Sequence, residues 1–298
     1  MRTSTSPARG RAWVLWPVVA GATWLSSIFW VGTQIGLDGV AVGLPLSALV
    51  TCAVGGAFLW LGRRRHGRPR HLTVSAFVWG ASIAAFCSLW SQQGLQALVD
   101  TAVSTEFGAW FRPLVITPVT EEVFKGLFLV WLLARRRDQL TGLPTGLPTG
   151  LLDGIVYAGL VGAGFSFTEN VLYFGRAVTT FTESDTSDVN AVALLGASLI
   201  LRAVLVPFFH PLMVALFGLG VAAAAGRSGR GARTGLVVGG LAVAIVLHGV
   251  WDWAGLAGDD PLLIYKIYGA VMVPVFFAML VLALVLRRRE RRAAQLRA

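Results

Sequence analysis

Charge is scarce in this chain. Asp, Glu, Lys and Arg make up only 13% of its 298 residues, whereas 55% are hydrophobic, and the mean hydropathy is +0.70. That scarcity excludes an ordinary soluble domain and places the chain in the polytopic membrane class. Long polar stretches are missing too. Nothing outside the apolar runs is long enough to fold by itself, so 1–298 reads as a single integral membrane domain. Cysteine is nearly absent. Cys52 and Cys87 lie mid-span in different apolar segments without metal-ligand spacing, and they read as small hydrophobes in helix packing. HExxH, P-loop and dinucleotide fingerprints are all lacking, which removes the motif-based readings that depend on them.

The charge that is present is unevenly placed. A net charge of +10 suggests nucleic acid, but the basic residues form short clusters between apolar spans, the mark of cytoplasmic loops. No nucleic-acid partner is expected; membrane lipid is. Arg far outnumbers Lys, which reflects a GC-rich bacterial genome rather than a physical demand.

A spanning helix needs about 20 apolar residues, and about eight such spans are readable. They lie at roughly 12–32, 40–61, 72–92, 113–134, 151–174, 204–225, 235–256 and 262–286. The first follows Arg2, Arg9 and Arg11 and reads as an uncleaved signal anchor. With the N-terminus inside, the inner loops hold Arg63, Arg64, Arg65, Arg68 and Arg70, then Arg135, Arg136 and Arg137, then Arg227, Arg230 and Arg233. The outer loops hold Asp38, Asp100, Glu106, Glu183, Asp185, Asp188, Asp259 and Asp260, with only Arg112 and Arg176 basic. Every short loop obeys the positive-inside rule, so the expectation is an all-α, polytopic membrane helix bundle, N-in and C-in, ending in a basic cytoplasmic tail at 287–298.

Three segments need separate treatment. Residues 191–225 are apolar apart from Arg202 and the Pro207–Pro211 region; a short or interfacial helix at 191–203, then one span broken near Pro207 and Pro211, keeps the topology. The tandem TGLPTGLPTG repeat makes 138–150 a Gly/Pro-rich linker. The 93–112 stretch reads as an amphipathic helix on the outer surface.

The few intramembrane charges fall into four clusters: Glu121, Glu122 and Lys125; Glu169 and Asn170; His210; and His248 with Asp252. Each charge in hydrocarbon costs at least ~2.5–3.5 kcal/mol, and such residues mark a functional site by default. At about 1.5 Å of rise per residue, all lie about 6–12 Å below the outer ends of their helices. Loop charges alone set that topology, so the common depth is an independent result. Glu121 and Lys125 are i,i+4 on one face, where Lys125 neutralises part of the carboxylate pair. His248 and Asp252 have the same spacing, and Asp252 is placed to accept from a ring nitrogen and fix the tautomer. Asn170 is placed to donate to an oxyanion or a carboxylate. Two chemistries remain open. Glu and His side chains from several helices can hold Zn²⁺ with an open position for water, or a Glu can activate water directly while His or Asn stabilises the oxyanion. Both hydrolyse peptides.

These motifs resemble the PrsW family of bacterial intramembrane proteases, itself distantly similar to the CAAX-processing and bacteriocin-immunity membrane proteases. EExxK stands as Glu121-Glu122-Val123-Phe124-Lys125, FxxxEN as Phe165 to Asn170, the lone histidine as His210 in FFHP, and HxxxD as His248 to Asp252. The resemblance covers a catalytic core of about 113–256, with the motifs in order across four helices. It implies an intramembrane endopeptidase, classed as a metalloprotease, that makes the first (site-1) cut in a single-span anti-sigma factor on the extracytoplasmic side. Glu121, Glu122, Lys125, Glu169, Asn170, His210, His248 and Asp252 are the implied site, with Glu122, Glu169, His210 and His248 as metal ligands.

Plainer readings compete with each cluster: a structural ion pair for Glu121, Glu122 and Lys125, interhelical anchoring for Glu169 and Asn170, a core histidine for His210, and an intrahelical contact for His248 and Asp252. A shared depth would then be coincidence. A proton- or ion-coupled transporter should show two related halves, and no motif recurs. A serine protease using Ser166 leaves Glu121 and Glu122 idle. A non-catalytic immunity or scaffold protein would retain the residues without the reaction.

Overall fold

The computed structural model describes residues 7–63, 68–141, 150–184, 189–256, 260 and 262–296. A straight helix over Pro7–Leu61 (α1, 55 residues) would be about 80 Å long, against a hydrocarbon core of about 30 Å. Gly36 resolves this conflict. Its φ of 71° lies in the left-handed region open to glycine, and α1 folds there into two arms, each long enough to cross.

Arg70–Trp79 (α2) passes through a π-helical turn at Gly80–Ala84 into Ala85–Ala102 (α3). The expected span 72–92 and much of the surface stretch 93–112 are therefore one helix. Ser104 then caps Thr105–Phe111 (α4) by accepting the Phe107 N–H at 3.1 Å. A π turn at Arg112–Ile116 leads into Thr117–Arg135 (α5). After Asp138–Thr141 (α6) comes Gly150–Glu183 (α7); residues 142–149 of the expected linker lie outside the described residues. Val189–Leu199 (α8) continues as a π turn to Leu205, and Phe209–Ala225 (α9) follows a break. Arg230–Leu256 (α10), Leu263–Ile267 (α11) and Val273–Gln295 (α12) complete the chain. No strand occurs among the described residues.

Six of these stretches are long and apolar enough to cross a membrane. The first holds both arms of α1, and α5 adds a further pass that Glu121, Glu122, Lys125 and Arg135 make too charged to stand out by composition. Eight helical passes result, as composition and loop charge predict.

The break before α9 falls at Pro207 as expected: Val206 and Phe208 have φ/ψ of −125°/38° and −96°/10°. Pro211 is different. It sits in the first turn of α9, where the missing N–H has no intrahelical partner to lose, so it does not break the helix. The basic tail is also more ordered than a tail reading implies. Helix α12 runs to Gln295, and Arg287 stacks 3.5 Å over the Trp60 ring.

Helix α7 is the centre of the bundle, with 89% of its apolar window buried against 22% for α1 and 17% for α10. Small residues let its neighbours close on it. A Cβ on Gly154 would lie 2.5 Å from the Gly218 carbonyl oxygen, and one on Gly218 would lie 2.6 Å from that of Gly154. The resulting α7–α9 contact places Glu169 and His210 on adjoining helices.

Candidate active site

Four helices each contribute one polar cluster. Glu121, Glu122 and Lys125 come from α5, Glu169 and Asn170 from α7, His210 from the first turn of α9, and His248 and Asp252 from α10. The expected depth match is realised as contact. Lys125, at 0% exposure, donates to Glu121 at 2.9 Å and Glu122 at 2.8 Å. Its Nζ also lies 2.9 Å from His210 Nδ1 and 4.0 Å from the centre of the Phe165 ring. Adjacent residues on a helix point about 100° apart, yet one ammonium reaches both carboxylates because it stands three and four residues further along.

His248 Nδ1 lies 2.9 Å from Glu122 Oε1. Asp252 was expected to orient this ring, but its carboxylate is 3.6 Å from Nε2, beyond hydrogen-bonding range. Glu122 orients His248 instead, because it meets the ring edge-on from the facing helix. On the far side, His210 Nε2 contacts the Glu169 carboxylate. Phe209 packs 5.0 Å from the His210 ring and 5.1 Å from that of His248, and the two imidazoles themselves meet edge to face at 5.5 Å.

The groups open onto a cavity of about 290 Å³. Glu121, Glu169, Asn170, His210, His248 and Asp252 line it; Glu122 and Lys125 sit behind. Ser166 also lines the cavity but makes no hydrogen bond to His210 or His248 among the described residues, so no serine–histidine dyad forms.

Metal-type donor atoms of Glu121, Glu122, His210 and His248 all lie within 4.8 Å of one another, and all four residues are buried. The expected ligand set named Glu169 where this group has Glu121; Glu169 lies alongside, with one oxygen toward Arg202 and the other against His210 Nε2. Two carboxylates and two imidazoles are a donor set suited to Zn²⁺. Glu122 Oε2 is buried without a hydrogen-bond partner among the described residues, a vacancy in bonding that a cation would satisfy. The residues fit a divalent metal.

Sequence reasoning missed three participants. Gln92 donates to Glu121 Oε1 at 3.2 Å from α3. Arg202 donates to Asn170 Oδ1 at 3.0 Å and Glu169 Oε1 at 3.4 Å. Tyr173 lies under the Arg202 guanidinium at 3.2 Å. The signal for Arg202 was available: it is the only Asp, Glu, Lys or Arg between 191 and 225.

Fold and site together define a multi-pass membrane protein with a buried Glu/His centre at the wall of a polar cavity. A family model, PrsW family intramembrane metalloprotease, matches residues 68–282, and the chain belongs to that family. Its members are intramembrane proteases, and this chain carries the corresponding domain. No curated protein and no solved structure matches the chain.

Proposed function

We propose that this chain hydrolyses a single-span membrane protein near the extracytoplasmic face of the bacterial plasma membrane, as the first (site-1) cut in an anti-sigma factor. The observation that carries the reading is the convergence of Glu121, Glu122, His210 and His248 within 4.8 Å beside a cavity that also reaches Glu169 and Asn170. The outer-face placement rests on the loop charges and helix rise.

Glu121 faces the cavity, so it is assigned as the base; Glu122, behind it, orients His248. Glu121 takes a proton from water as the water oxygen attacks the scissile carbonyl carbon, then returns it to the leaving nitrogen as the C–N bond breaks. The Asn170 amide donates to the oxygen on which negative charge develops. Lys125 keeps the paired carboxylates close by offsetting part of their buried negative charge. Glu122, His210 and His248 would hold a divalent metal, with Zn²⁺ the best match to the donors. When bound, it supplies electrophilic polarisation and acidifies water.

The test uses purified protein in liposomes with single-span reporters. Glu121→Gln should lower cleavage about 10²–10⁴-fold even at saturating zinc. Glu122→Gln, His210→Ala and His248→Ala should lose the zinc. Full cleavage by Glu121→Gln would refute its assignment as base. A fusion reporter placed after residue 138 should stay cytoplasmic; an extracytoplasmic signal would overturn the orientation.

A further inference from the structure

Arg202 stands apart from the motif residues, yet it touches two of them. It lies in the π turn at Ile200–Leu205, and its side chain is 23% exposed, opening on the cavity. An arginine at this depth is costly unless partnered. Its partners all come from one stretch of α7. Glu169 and Asn170 receive its N–H groups, and Tyr173, one turn on from Glu169, lies flat beneath the guanidinium.

Donor chemistry fixes what these contacts do. A guanidinium has only donors, so Asn170 must present Oδ1 to it. The Asn170 amide is thereby locked in one orientation, with its NH₂ left to donate elsewhere on the cavity wall. The Glu169 carboxylate is shared in the same way. One oxygen faces Arg202, and the other faces His210 Nε2. One side chain therefore sets both the direction of an amide donor and the support of a site histidine.

We propose that Arg202 is a positioning residue for peptide hydrolysis, acting through Asn170 and Glu169 rather than on the substrate. The inference rests on the endopeptidase reading above. A fork with donors pointing two ways is required, and a lysine ammonium, a single point charge, serves one partner well but not both.

The test measures kcat and KM for a single-span reporter that the wild-type protein cleaves. Arg202→Met should lower kcat about 10²-fold, the size expected when reacting groups are misplaced by about 1 Å, with KM within about twofold. Arg202→Lys should recover part of that loss. Asn170→Ala combined with Arg202→Met should be less damaging than the product of the two single losses, because both act through one amide. A purely structural anchor predicts otherwise: multiplicative losses, or a fall in melting temperature with kcat intact in the folded fraction. Either of those results overturns the proposal. If Arg202→Met does not fold, Arg202→Lys with Asn170→Ala closes the same cycle. Wild-type protein that loads zinc but cleaves none of the reporters would count against the endopeptidase reading itself, an outcome separate from any Arg202 effect.

Discussion

Two cations brace this site, and they do so under opposite conditions. Lys125 is fully enclosed, at 0% exposure, and bonds to two carboxylates on its own helix. Arg202 is 23% exposed at its side chain and reaches across to another helix on a cavity wall. The dry cation balances charge where no water can do so. The second cation borders a cavity and bonds two different groups, so its two-way donor geometry matters beyond its charge. Losing Lys125 should therefore act on stability and metal affinity, and losing Arg202 on turnover.

The largest effect should come from Lys125→Met. It strands two buried carboxylates, and breaking a buried pair costs about 3–5 kcal/mol. Lys125 Nζ contacts Glu121, Glu122 and His210, three of the four groups that could bind metal, so ammonium and divalent ion compete for the same atoms. Metal-free Lys125→Met should melt far below wild type. Added Zn²⁺ should restore the variant more than it raises the wild type, with a tighter apparent Kd. Weaker zinc binding in the variant would show that Lys125 supports the ligands instead of competing with the ion.

A smaller effect should follow from Gly162→Ala. A Cβ there would lie 2.5 Å from the Pro211 nitrogen and 2.7 Å from the His210 carbonyl carbon. Overpacking of this kind costs about 1–3 kcal/mol. The displacement lands on His210, which touches both Lys125 and Glu169, so it loads the dry and wet sides at once. Stability and turnover should fall together, unlike either cation variant. Melting curves paired with reporter cleavage test this; a stable, inactive Gly162→Ala would mean the α7–α9 contact yields elsewhere.

Arg202→Met should change stability by about 1 kcal/mol or less, as for a partly solvated pair. A thermal melt in detergent checks this. A loss as large as that of Lys125→Met would erase the distinction between the two sides.

The same contrast explains what could be read from the chain. Lys125 meets its carboxylate partners three and four residues back, and helical periodicity makes such neighbours predictable. Helix number followed from apolar length and loop charge, and the break at Pro207 from the missing N–H. Arg202 meets partners 32 and 33 residues away, and Gln92 meets Glu121 across 29. No local periodicity encodes such contacts; they depend on how helices rotate about their axes when α7 packs. The Asp252 expectation failed for the same reason. Its i,i+4 spacing to His248 was correct, but Glu122, arriving from α5, holds the ring more closely than the local partner does. Glu169, which that group of four does not include, meets Arg202 and His210, two contacts that no local spacing encodes.

The smallest effect belongs to a pair that shares the chemistry of the Lys125 cluster but not its burial. Lys266 donates to Asp260 at 2.7 Å, with side chains 64% and 43% exposed. The Lys266 hydrogen bond, helped by the Leu262 N–H at 2.9 Å, holds the Asp260 carboxyl below its ordinary range. A lowered folded pKa adds stability that is present above the unfolded value, about 3.9 for Asp. That contribution is lost as pH falls through the folded value. Lys266→Ala should thus shift melting by about 1 °C or less near neutral pH. The difference from wild type should shrink with added salt and vanish in acid. Burial, not the number of ion pairs, then sets what each pair is worth; a Lys266→Ala loss matching that of Lys125→Met would contradict this.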